Sequence, residues 1–115
     1  MATVWAWTCV LVLCIAVEIT AAGAYQFTVG GSKGWDVPPA SDKEAYNQWA
    51  GSNRFQIGDI LLFKYNNRED SVLQVSQGSY NTCNTTGPFA SFTDGETVFK
   101  LPKNGPFYFI SGNQS

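Results

Sequence analysis

Phe55-Gln56-Ile57-Gly58-Asp59-Ile60-Leu61-Leu62-Phe63-Lys64-Tyr65 is the stretch on which the fold turns. Ile60 to Phe63 is apolar without a break, bounded by Gly58-Asp59 before it and Asn66-Asn67 soon after, and reads as a strand buried on both faces. Downstream, Val72-Leu73-Gln74-Val75 follows the polar turn Asn66 to Asp70, which predicts a hairpin with that strand. Thr97 to Leu101 and Phe107 to Ile110 predict a second hairpin, because Pro102-Lys103-Asn104-Gly105-Pro106 turns a chain but does not extend a ladder. Upstream, Tyr25, Phe27 and Val29 alternate with Gln26 and Thr28 until Gly30-Gly31 breaks the run, the pattern of a half-buried strand that opens the domain.

One helical piece interrupts the strands. Ser41 stands three residues before Glu44, a capping-box spacing, and Ala45, Tyr46 and Trp49 then fall on one face of a helix of about two turns. Several strands with turn signals between them and one or two short helices indicate an all-β chain, an antiparallel sandwich or barrel. Trp35, Tyr46, Trp49 and Tyr80 supply more aromatic surface than a small core demands, although core packing accounts for most of it.

The first 24 residues stand apart. Val4 to Val17 is an almost unbroken apolar run, followed by the small-x-small site Ala22-Gly23-Ala24, so residues 1–24 read as a secretory signal peptide cleaved before Tyr25. The run is shorter than the ~20 residues that span a bilayer. A buried soluble helix would alternate polar and apolar faces, and this stretch does not. Residues 25–115 then form one domain, near the lower end of self-sufficient size.

Without Glu18 that domain has seven basic and eight acidic side chains, a balance that disfavours nucleic acid and a basic membrane-binding face. Cys9 and Cys14 lie in the leader, leaving Cys83 alone in a chain bound for an oxidising compartment, either as a free thiol or with a partner past Ser115. The sequons at Asn84 and Asn113 agree with secretion.

Three strings occur in order: Val29-Gly30-Gly31-Ser32-Lys33-Gly34-Trp35, then Tyr46-x-x-Trp49-Ala50, then Phe55-x-x-Gly58-Asp59-x-Leu61-x-Phe63-x-Tyr65. Asp70-Ser71-Val72, Tyr80-x-x-Cys83, Gly95 to Leu101 and Phe107-Tyr108-Phe109-Ile110-Ser111-Gly112 follow. Together they resemble the phytocyanins, plant blue-copper proteins, over the whole of residues 25–115. The resemblance implies a cupredoxin-like Greek-key β-sandwich whose closing strand is missing from this chain. It also implies a disulfide from Cys83 to a cysteine beyond Ser115.

The resemblance places two copper ligands, a histidine and a cysteine, at the positions of Asp70 and Ser111. A blue-copper site needs imidazoles and a thiolate, and the 115 residues contain no histidine. Aspartate and serine offer hard oxygens, so no copper cofactor is expected, and the chain is closest in pattern to the early nodulin-like branch, which lacks the ligands. Asp70 reads otherwise as a turn residue and Ser111 as an isosteric filling of the thiolate position. Nucleophilic catalysis lacks a histidine base. Asp94 and Glu96, beside Gly95, read as a solvated turn rather than a glycosidase pair.

The expectation is therefore a non-catalytic extracellular interaction protein. Its partner would be a cell-wall polysaccharide, a glycoprotein or a receptor, met at the outer face of the plasma membrane or in the apoplast. Related chains suggest a glycosylphosphatidylinositol anchor on a tail beyond Ser115. The alternative is a blue-copper electron carrier.

Overall fold

The computed structural model describes residues 12–18, 25–36, 38, 41 and 44–113. In chain order these form β1 (Val12–Glu18), β2 (Gln26–Thr28), a 3-10 turn (Gly31–Lys33), α1 (Ala45–Gly51), β3 (Phe55–Gln56), β4 (Ile60–Lys64) and β5 (Val72–Val75). Next come α2 (Gln77–Thr82), β6 (Ala90–Phe92), β7 (Glu96–Lys100) and β8 (Gly105–Ser111). One sheet runs β3-β1-β8-β5-β6 and the other β2-β4-β7. The expected β-sandwich is present, and its core holds Trp35, Phe55, Leu61, Phe63, Leu101 and Phe109.

Both predicted hairpins are absent. β4 pairs with β2 (parallel) and β7 (antiparallel) in the smaller sheet, whereas β5 pairs with β6 and β8 in the larger one. β7 and β8 are likewise in different sheets. The two polar turns, 66–71 and 101–104, are corners that carry the chain from one sheet to the other. Proximity in sequence predicted pairing, but the strands flanking each turn present apolar faces that are better buried against each other than side by side.

Val12–Glu18, inside the stretch read as a leader, is a strand. It pairs antiparallel with β8, from Val12↔Ile110 to Val17↔Gly105, and parallel with β3. Leu13, Cys14 and Ile15 are all fully buried, because successive residues of a strand face opposite sides of the sheet and here both sides are covered. Leu13 and Ile15 enter the core between the sheets, while Cys14 joins Leu73, Val75, Tyr80 and Ile110 on the other face. β8 is thereby paired on both edges, lying between β1 and β5. The remainder of residues 1–24 lies outside the described residues.

The helix expected after Ser41 forms, but not by the expected cap. Glu44 is its N-cap residue and makes no side-chain capping bond, and Ser41 lies outside the helix. Burial of Tyr46, Asn47 and Ala50 holds it instead. A second helix, α2, is capped by Ser76, whose hydroxyl accepts from Ser79 N at 3.2 Å, and ends at Cys83 in the left-handed conformation (φ 53°).

At the opposite end of β4, Asp59 is 1 % exposed and spans two strands. Its Oδ1 accepts from Tyr25 N at 2.8 Å and its Oδ2 from Gln56 N at 2.9 Å. Its own N donates to Gln56 O at 3.0 Å, and its carbonyl accepts from Leu101 N at 2.9 Å.

Candidate functional site

Asp70 and Ser111 meet because of strand register. Val72, the first residue of β5, is opposite Ser111, the last of β8, so the residues just before β5 lie against the end of β8. Ser111 Oγ donates to Asp70 Oδ1 in a short hydrogen bond, and the same carboxylate oxygen accepts from Ser71 N at 2.8 Å. Asn113 closes the arrangement, its N donating to Ser111 Oγ at 2.9 Å and its Nδ2 to Glu69 O at 2.8 Å. Gly112 packs so closely on Ser71 that a Cβ there would overlap the Ser71 hydroxyl.

Trp35 supports this end from inside. The turn Gly30 to Gly34 delivers it: both glycines have positive φ, and a Cβ on either would overlap a carbonyl oxygen, that of Gly34 or of Lys64. Trp35 N then donates to Lys64 O at 2.8 Å, and its Nε1 to Ser71 O at 3.0 Å. The Tyr46 hydroxyl accepts from Asp36 N at 2.7 Å and lies 2.5 Å from Gly34 O and 2.8 Å from Asp36 O, its acceptors. Burial pushes its pKa up to about 12, against the Asp36 amide bond that lowers it, so the phenol is protonated at neutral pH.

Burial also raises the Asp70 carboxyl above its ordinary value, with Asp36 and Glu69 adding repulsion, while the bonds from Ser111 and Ser71 pull it down. The folded state thus holds this proton more tightly than the unfolded chain. The stability it contributes is complete below the ordinary aspartate range and is lost as pH rises through the shifted value. Asp70→Asn keeps an acceptor oxygen for both donors and removes the buried charge, so its stability relative to the parent should improve as pH rises from about 3 to 7. Asp70→Ala leaves Ser111 and Ser71 N without their acceptor and should cost about 1–3 kcal/mol. Urea midpoints of the three proteins at the two pH values check both outcomes.

This pair does not fit a copper ion. The oxygens point at each other and at backbone amides, and they are hard donors. Among the described residues no group of three or more His, Cys, Asp or Glu side chains is placed to hold a metal.

The other candidates fall elsewhere. Trp35, Tyr46 and Tyr80 are buried and Trp49 is half-buried against Phe55, so their rings serve the core. Asp94 accepts from Thr97 Oγ1 at 2.6 Å and from the Tyr65 hydroxyl at 3.3 Å, pinning the turn before β7, whereas Glu96 is exposed at the start of that strand. Asn84 is exposed beside α2, and Asn113 is half-buried in the network above. Cys83 is disulfide-bonded, its partner lying outside the described residues. Cys14 is a buried thiol that hydrogen-bonds the Tyr108 side chain.

Two hollows share Lys33, Lys64 and Tyr65, and Asp70 lines the smaller of them. One of about 150 Å³ is walled by Asp36, Glu69 and Asp70, and a wider one of about 680 Å³ by Thr28 and Ser32. This rim, with ammonium, carboxylate and hydroxyl groups within one patch, was not legible in the sequence, since its residues come from two segments, 28–36 and 64–70, that are distant in the chain.

Plastocyanin-like domains as a family match residues 35–115. The chain belongs to the phytocyanin family. Among phytocyanin relatives, early nodulin-like protein 9 of Arabidopsis thaliana is 52% identical over 102 residues, 89% of this chain and 49% of the relative. Early nodulin-like protein 18 of Oryza sativa subsp. japonica is 52% identical over 100 residues, 83% of this chain and 36% of the relative. The chain thus spans about half or less of the length of these relatives.

Two solved structures are similar. Cucumber basic protein, a blue copper protein, gives a TM-score of 0.60 at 33% identity, over 78% of this chain and 99% of that one. Cucumber stellacyanin gives 0.65 at 21% identity, over 80% and 96%, a likeness that concerns the fold alone. Both support the cupredoxin-like sandwich.

Proposed function

We propose that this phytocyanin is a non-catalytic interaction module of the cell surface, secreted through residues 1–24 and binding a wall polysaccharide, a glycoprotein or a receptor. The observation that carries the proposal is the Ser111–Asp70 hydrogen bond. Two positions that the family resemblance assigns to copper ligands hold a serine and an aspartate committed to each other. A domain that keeps the sandwich while committing those positions to hydrogen bonding has a surface to offer rather than a redox centre. The rim of Lys33, Lys64 and Tyr65 beside Asp36 and Glu69 is suited to a hydroxyl-rich or charged partner, since it presents donors and acceptors together. Among the described residues no helix is long and apolar enough to cross a membrane.

Titration of the full-length protein with cupric ion tests the reading. The expected outcome is no intense visible absorption at any ratio and no rise in melting temperature beyond that of a nonspecific cation. A blue colour would overturn it in favour of an electron carrier.

A further inference from the structure

We propose that processing before Tyr25 builds an ion pair inside the fold: the new α-ammonium of Tyr25 pairs with the buried carboxylate of Asp59. The inference rests on reading residues 1–24 as a cleaved leader. It comes from the place where that cut would fall. Tyr25 N already donates to Asp59 Oδ1 at 2.8 Å, and Tyr25 O accepts from Ile60 N at 2.8 Å, so this residue is fastened on both sides just ahead of β2.

Asp59 is 1 % exposed and is fixed through its second oxygen, its amide and its carbonyl. Its carboxylate has only two donors, the amides of Tyr25 and Gln56, and no cationic partner among the described residues. Two neutral amides are a modest return for burying a carboxylate. Hydrolysis of the Ala24–Tyr25 peptide bond gives Ala24 a carboxylate and leaves Tyr25 an amine, which takes up a proton at neutral pH. The donor at 2.8 Å then carries a charge, and a charge-assisted bond is about twice as strong as a neutral one. Tyr25 is itself 65% exposed, so the remaining ammonium protons stay in water.

The pairing selects one cut site. An amine one residue earlier lies ~3.8 Å further along the chain and leaves an ordinary amide opposite Asp59. This supplies a clean comparison that does not alter the carboxylate. The full-length secreted protein is prepared in two forms, one beginning at Tyr25 and one at Ala24, and the N-terminal amine of each is titrated by NMR. The Tyr25 amine should titrate at least about one pH unit above the ordinary ~7.7–8.0, and the Ala24 amine within that range. The Tyr25 form should also react at least about tenfold more slowly with an amine-selective reagent at neutral pH, in line with that shift. Equal titration of the two amines would overturn the ion pair. Mass determination of the natural N-terminus tests the leader reading separately, and a product that starts elsewhere would remove the inference along with it.

Discussion

Expressed as residues 25–115 alone, the chain is expected to give aggregated or non-cooperatively unfolding protein, where residues 1–115 give a soluble monomer with a single thermal transition. The strand β1 is the reason. Leu13 and Ile15 are fully buried in the inter-sheet core, and each such side chain contributes about 1.5–3 kcal/mol. Cys14 fills the second cluster. Removing the strand also strips the ladder from one whole side of β8 and from β3, exposing edges that promote association. For a domain whose total stability is about 5–15 kcal/mol, these losses are comparable with the whole. Circular dichroism melts and size exclusion of the two chains decide the matter, and a sharp melt from monomeric 25–115 would refute the assigned weight of β1. If a longer chain without residues 1–24 melts cooperatively, a later segment takes the place of β1.

Trp35→Ala should be the most damaging single substitution near the site. The ring is 1 % exposed and makes edge contacts with Tyr46 at 5.0 Å and Phe63 at 5.2 Å between centroids. Truncating a buried tryptophan to alanine costs about 3–5 kcal/mol through lost transfer energy and the cavity. The Ser71 carbonyl also loses its donor, at a further cost of about 1–3 kcal/mol. With about 4–8 °C of melting temperature per kcal/mol in a domain of this size, the fall should exceed about 12 °C. Trp35→Phe keeps most of the packing and forfeits the hydrogen bond, so its fall should be clearly smaller. An alanine variant within a few degrees of the parent would show that the ring is not the keystone of this end.

The legible parts of the fold were those in which local pattern and burial agree. Ile60 to Phe63 is a central strand, and Val72 to Val75 another, as their apolar runs indicate. Their partners were not legible, since in a Greek-key sandwich the chain crosses between sheets at short turns that resemble hairpin loops. β6 escaped notice because Ala90-Ser91-Phe92 has only half-buried or exposed side chains and no apolar run. The α2 helix has a cap signal in Ser76, but its polar, glycine-containing sequence carries no apolar stripe.

At the site, Asp70 and Ser111 were marked by family resemblance, and the structure adds that they bond to each other. In the sequence Asn113 reads only as a sequon, yet it ties Ser111 to Glu69. Nothing in sequence spacing announces a bond between residues 44 positions apart.

The pairing of Val12 with Ile110 joins a residue near the start of the chain to one near its end. At ~5–20 residues per second of synthesis, the ribosome makes Ile110 about 5–20 s after Val12. For that interval the apolar segment lacks β8, its long antiparallel partner, and it is open to any factor that captures nascent hydrophobic chains. If residues 1–24 act as the proposed leader, the same seven residues are an address while the message is still being read and a strand only in a chain that keeps them afterwards. Under that proposal the address is offered before β8, the strand that would hide it, has been made.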